Sequence, residues 1–327
     1  MISRVADACF WFGRYIERAE TTARLLYITR HLALDAELPP EQCWYPVVVV
    51  SGEEAAFRAQ YPTLDADMGD SVEHHLTWEE QNFSSIVRAI GAARENARSI
   101  REVISLEVWE ATNELYLWLQ SLEARALYDS QRYAFYKHIR SGCRLIAGLL
   151  RSTMLHEAPL NFIWLGMLLE RAGWTARVLD VHHHVLTRHE AEADVTQAAL
   201  WLAVLRACSG MEPFLKRHGT AITRDAVASF LLFDGAFPKS VIYCVREART
   251  RFAVIRPPGE PDLPGRLAMA RLAALDGWLT TEARRGEGYQ VHRHCTHVVN
   301  ELAAIGSGIG EELFGYAPTV SLGEQTQ

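Results

Sequence analysis

The chain has 327 residues, 33 Lys and Arg against 40 Asp and Glu, a net charge of −7, and a composition that is 49% hydrophobic and 22% charged. That is the makeup of one large or two medium globular domains; it excludes a disordered chain and a broad basic nucleic-acid surface, while leaving room for a local basic patch. Six cysteines, Cys9, Cys43, Cys143, Cys208, Cys244 and Cys295, are widely spaced with no C-x-x-C pair, which reads as buried reduced thiols rather than a disulfide framework or a zinc site.

Charges at Arg4, Asp7, Arg14, Glu17 and Arg18 interrupt the apolar run that a signal peptide needs. The longest uncharged apolar stretch near mid-chain, Ala158 to Leu169, falls short of the ~20 residues that cross a bilayer. A soluble, cytoplasmic protein with no membrane partner is expected.

Helical periodicity dominates the chain. Residues 4–36 predict one long helix, ended by Leu38-Pro39-Pro40. Residues 46–60 begin with the β-branched run Val47 to Val50, which suits a short strand, but the following Glu-Glu-Ala-Ala-Phe-Arg-Ala is helical and the whole segment is read as helix. Residues 61–82 read as a loop, with Pro62, Gly69 and scattered acids. Asn82-Phe-Ser-Ser marks a helix start with Ser84 or Ser85 as N-cap. Helices follow at 85–104, 107–127, 130–155, 159–188, 195–208, 211–217, 223–233, 238–254, 265–283 and 288–313, with a turn at Arg256 to Gly265 and a frayed last dozen residues. No glycine-rich phosphate loop, nucleophile elbow, H-E-x-x-H or ferritin-type E-x-x-H motif is present. The expected fold is an all-α bundle of about a dozen helices in a single domain.

One internal repeat stands out. Trp11 to Leu26 aligns without gaps to Trp164 to Leu179, 153 residues on, with nine of sixteen positions identical. The identities are Trp11/Trp164, Gly13/Gly166, Glu17/Glu170, Arg18/Arg171, Ala19/Ala172, Thr22/Thr175, Ala23/Ala176, Arg24/Arg177 and Leu26/Leu179. A glycine one turn before the glutamate suggests close approach by another backbone, since it otherwise costs about 1 kcal/mol in a helix. The second copy is apolar nearly all round, so Glu170, Arg171 and Arg177 are expected to be buried and paired or bound to something. An antiparallel crossing would join Glu17 to Arg177 and Glu170 to Arg24; a parallel one would face Glu17 with Glu170 across a shared proton or a metal. Three roles stay open for these residues: ion pairs that fix helix register, a pocket whose arginine forks read a carboxylate or phosphate, and acid–base catalysis.

These residues carry a resemblance. Ser3-Arg-Val-Ala-Asp, Trp11, Gly13 and Glu17-Arg18-Ala-Glu-x-x-Ala-Arg24 resemble the start of the bacterial alpha-E family, an all-helical domain named for its Glu-Arg motif. Ser84-Ser85-Ile, Ala93 to Arg98, Arg101-Glu102 and Glu107-x-Trp109-Glu110-x-x-Asn113 are similar to its second block, and Leu205 to Gly210 and Phe237 to Val241 to later ones. The resemblance implies an accessory protein encoded beside, or fused to, a circularly permuted ATP-grasp ligase, often with a transglutaminase-like peptidase, in the making or modifying of peptides through amide bonds. The run Tyr45-Pro-Val-Val-Val-Val-Ser-Gly departs from a helical family by its β-branching.

Other constellations point less far. Arg94, Glu95, Arg98, Arg101 and Glu102 form a charged helix face, read either as solvated surface or, through Arg94, Asn96 and Arg98, as lining for the same pocket. Tyr128, Arg132, Tyr133, Tyr136, Lys137 and Arg140 mix aromatics with bases in a pattern that can stack a base or bind a peptide; the acidic chain argues against nucleic acid. His182-His183-His184 with Asp180, and His294, His297 and Glu301, have metal-ligand spacing, but solvated helix-end histidines are the expected state, with no metal or cofactor. The functional expectation is a substrate-binding accessory to an ATP-grasp ligase. Its site would use Glu17, Arg18, Arg24, Glu170, Arg171, Arg177, Arg94 and Arg98. The alternatives are a stand-alone enzyme, with or without a metal, and a purely structural scaffold.

Overall fold

The computed structural model describes residues 3–35, 39–62, 68–188, 194–260, 262–285 and 290–317, without the side chains of 35, 184–188 and 194–197. Among the described residues there are fifteen α-helices and no strand: α1 (Ser3–Asp35), α2 (Pro40–Ser51), α3 (Glu54–Gln60), α4 (Met68–Trp78), α5 (Ile86–Ser99), α6 (Leu106–Leu119), α7 (Leu122–Ser130), α8 (Arg132–Thr153), α9 (Ala158–Arg188), α10 (Asp194–Ala207), α11 (Met211–His218), α12 (Arg224–Phe233), α13 (Val241–Ile255), α14 (Arg266–Arg285) and α15 (Val291–Ile309). A π-helical turn, Gly310–Phe314, follows the last. The fold is all-α.

Three details differ from the sequence reading. The segment read as helix over 46–60 is helical but is two helices, α2 and α3, broken at Gly52; Val47 to Val50 lie inside α2, where Val47, Val48 and Val50 are fully buried. Burial of the branched side chains against α1, α4 and α9 outweighs their modest preference for strands. The segment read as a loop contains α4, whose Val72, His75, Leu76 and Trp78 face the core; Gly69 disguised it, yet that glycine is where the Trp44 indole packs against the backbone. The single helix expected over 107–127 is two, because Ser121 caps a new start, its hydroxyl accepting from the Ala124 amide. Ser85, not Ser84, caps α5. The expected end of the first helix at Leu38, and nearly all of the final dozen residues, lie outside the described residues.

The long helices α1 and α9 share the largest contact in the molecule. Residues 10 and 13 of α1 meet 166 and 163 of α9, and residues 17 and 18 meet 171 and 170, so the two helices run in the same direction. The approach is close: a Cβ on Gly13 would lie 2.0 Å from the Ile163 carbonyl oxygen, and one on Gly166 the same 2.0 Å from that of Phe10. Other helices surround this pair in matching fashion. α5 and α8 pack on α1 with α6 bridging them; α13 and α15 pack on α9 with α14 bridging them. α2 and α10 each touch both central helices. One apolar core runs through all of this, so the motif helices sit at its centre.

Candidate functional site

The close crossing decides what happens to the motif charges. Glu17 and Glu170 are each 3% exposed, deep enough that an unpaired carboxylate would be prohibitive. Arg171 forks onto Glu17, with Nε donating to Oε1 at 2.8 Å and Nη2 to Oε2 at 2.7 Å. Arg18 forks onto Glu170 in the same way, at 2.8 and 3.2 Å. Each carboxylate also has a second cation. Arg14 donates to Glu170 Oε2 at 2.8 Å, and Lys239 Nζ lies 3.7 Å from Glu17 Oε1.

Electrostatics follow the geometry. Burial pushes the Glu17 carboxyl up, but Arg171 and then Lys239 outweigh it and hold it down at about 2. Glu170, likewise buried, is held well below the usual carboxylate range by Arg18 and Arg14. Both are ionised acceptors with their lone pairs in use. Of the two crossings foreseen from sequence the parallel one occurs, but neither foreseen pairing does: each glutamate meets the arginine one residue further along the other helix. No proton or metal has to be shared between the carboxylates.

The same arginines fasten the next helices. Arg18 Nη1 donates to the Phe83 carbonyl at 3.3 Å and Arg171 Nη1 to that of Pro238 at 3.5 Å. Thr22 donates to the Ser84 carbonyl at 3.4 Å and Thr175 to that of Lys239 at 2.9 Å. The next residues, Ser85 and Ser240, are the N-caps of α5 and α13. The motif therefore ties four helices at one level.

Arg24 and Arg177 stand apart from these pairs. Arg177 Nε donates to the Val50 carbonyl at 3.2 Å, near the end of α2. Arg24 donates to Glu20 and to the Ser209 hydroxyl, just past α10. Around Glu20 the cations accumulate. Arg24 and Arg144 share its Oε1, the latter at 3.4 Å, and Lys239 Nζ lies 3.3 Å from Oε2. Arg140, one turn before Arg144 on α8, lies over the Tyr27 ring with its guanidinium carbon 4.9 Å from the centroid. Burial first, then Arg24, pulls the Lys239 amine down to about 7.

A family model described as "a predicted alpha-helical domain with a conserved ER motif" matches residues 1–314. The chain belongs to the alpha-E family. The alpha-E chain is 24% identical over 326 residues to proteins of Mycobacterium bovis and of two Mycobacterium tuberculosis strains, each named only as an uncharacterized protein. The match covers 95% of this chain but 35% of each relative, so the chain spans about a third of the length of the curated relatives it matches. No solved structure matches it.

Elsewhere in the alpha-E domain, two predicted site residues are placed away from the crossing. Arg94 donates to Glu95 and Asn113 and stacks near Trp109 and Tyr116, and Arg98 pairs with Glu95 while 63% exposed. They lie two or more turns along α5 from its capped end, which carries them out of reach of Glu17 and Glu170. Among the described residues no three His, Cys, Asp or Glu side chains converge as a metal site. His182 bonds the Val178 carbonyl at 2.8 Å, His294 meets Glu282 at 3.0 Å, His297 packs on Trp278, and Glu301 pairs with Arg271; the His184 side chain lies outside the described residues. Burial pushes Cys208 up to about 11 and Cys143 and Cys244 up to about 12, so these thiols stay protonated. Sequence reasoning missed Arg14, Glu20, Arg144, Lys239 and Ser209. Glu20 has the one available signal, one turn before Arg24 in the motif itself.

No helix among the described residues is long and apolar enough to cross a membrane.

Proposed function

We propose that this chain is a non-catalytic accessory domain that holds substrate for an ATP-grasp amide ligase acting in peptide synthesis or modification in the cytoplasm. The observation that carries the reading is the coverage of the mycobacterial relatives. There the matched region is about a third of a longer protein, so this domain occurs together with further sequence, as an accessory domain does. The ligase, and a transglutaminase-like protein as a further partner, come from the alpha-E resemblance. The state of the motif carboxylates fits a domain that does not itself turn over substrate. Glu17 and Glu170 are ionised and saturated by guanidinium donors, so neither is poised to accept a proton near neutral pH.

Mutual pairing of Glu17 with Arg171 and of Glu170 with Arg18 favours a second reading, in which the motif is architectural and holds the central helices in register. Co-expression with a circularly permuted ATP-grasp protein from the same gene neighbourhood, followed by size exclusion with light scattering, separates the two. Co-elution at fixed stoichiometry is the expected result. Separate elution with and without ATP sinks the accessory reading and leaves the architectural one.

A further inference from the structure

We propose that the cluster of Arg24, Arg140, Arg144, Lys239 and Ser209, brought together from α1, α8, the residue after α10 and the turn before α13, is a binding site for a phosphate group. Its charges do not balance. Arg171 and Glu17 satisfy one another, which leaves Arg24, Arg144 and Lys239 on the single carboxylate of Glu20 and Arg140 beside Arg24 and Arg144, a surplus of two positive charges from the arginines alone and of three when Lys239 is protonated. Like charges crowded in a partly buried place repel, and burial with Arg140 and Arg144 nearby works against the Arg24 charge. A bound dianion relieves that repulsion.

The donors are in place for one. Arg24 is 2% exposed, and its Nε is buried with no acceptor. The Arg140 Nε is also buried without an acceptor, and among the described residues this arginine has no carboxylate partner. Arg144 is 54% exposed, so solvent reaches the cluster along α8, and among the described residues its only carboxylate contact is the Glu20 oxygen that Arg24 already occupies. Ser209 accepts from Arg24, which leaves its hydroxyl proton available to donate; its backbone is held at φ 55°, a left-handed conformation a serine seldom adopts. Guanidinium forks approaching from two helices, with an ammonium from a third direction, suit a tetrahedral dianion better than a planar monoanion, and the two surplus charges of the arginines match two negative ones better than one.

The site stands apart from the partner reading, because it is measured on this chain alone. Isothermal titration at pH 7 and constant ionic strength would use inorganic phosphate, AMP and phosphoserine as probes, with acetate as the monoanion control. Saturable one-site binding of phosphate is expected, weakened about tenfold or more in both Arg140→Gln and Arg144→Gln, the loss of one charge-assisted hydrogen bond each. Both variants should keep the wild-type melting temperature, since each removes a repelled cation. Tighter binding of AMP or of phosphoserine than of free phosphate supports the site and names the carrier. No heat with any phosphate probe, equal affinity in the wild type and both variants, or acetate binding as tightly as phosphate would overturn the assignment.

Discussion

At the residue scale, the repeated glutamates are equivalent in their first partner and different in their second. Each takes a two-pronged arginine from the opposite helix, but Glu170 adds Arg14, where the other copy has Met167, and Glu17 adds Lys239, where the α5 turn has Ser84. Buried pairs of this kind are costly to break singly, because the survivor is left charged in a dry place. Glu17→Gln is expected to cost about 3–5 kcal/mol. Adding Arg171→Met should recover part of that loss, with a coupling above about 1 kcal/mol in a double-mutant cycle from urea unfolding. Simple additivity would mean that the pair is not made in solution.

At the scale of the element, the decisive feature is the absence of two side chains. A glycine in a helix interior is ordinarily a defect, and replacing it with alanine gains about 1 kcal/mol. Gly13 and Gly166 invert that rule, because the added methyl of each would meet a carbonyl oxygen of the other helix. Gly13→Ala and Gly166→Ala should each destabilise by roughly 3 kcal/mol, as overpacking against backbone does. Thermal melts that show either substitution neutral or stabilising would place the helices further apart than this. Tight approach and ion pairing also depend on each other, since a wider crossing would lengthen both arginine forks.

Across the whole molecule, pH reports how these parts add up. Glu17 has a folded pKa of about 2 against 4.5 for a free side chain. A depressed carboxylate contributes stability that is present above 4.5 and lost as pH falls toward 2, about 3 kcal/mol for this group. Glu170 acts in the same sense. Lys239 works over another window. Its pKa is depressed from 10.5 to about 7, so the unfolded chain binds more protons between those values and stability rises with pH through them. Above about 9 the buried thiols oppose this, because Cys143 and Cys244 hold their protons to about 12 while the unfolded chain releases them at 9. Urea midpoints should therefore fall steeply from pH 5 to 3 and rise from pH 7 to 9, the rise shrinking in Lys239→Met. A flat acid limb would contradict the buried ion pairs.

Much of this architecture was written in the chain itself. Periodicity along 4–36 and 159–188, Ser85 at a capping position and the absence of strand patterning were enough for an all-α fold, because helix formation responds to local spacing and capping. The spacing of Gly13 from Glu17, and of Gly166 from Glu170, marked the residues that meet at the crossing, since only a close backbone contact makes such glycines useful. Which charge meets which was not legible. Shifting one helix by a single residue exchanges the partners, and that register is set by carbonyls of Phe10 and Ile163 seated against the two glycines. Arg144 and Lys239 come to Glu20, and Arg140 and Ser209 to Arg24, from three separate helices or turns. Their charges converge only because α8, α10 and α13 pack around the central pair, and it is tertiary structure that turns an acidic chain into one with a local surplus of positive charge.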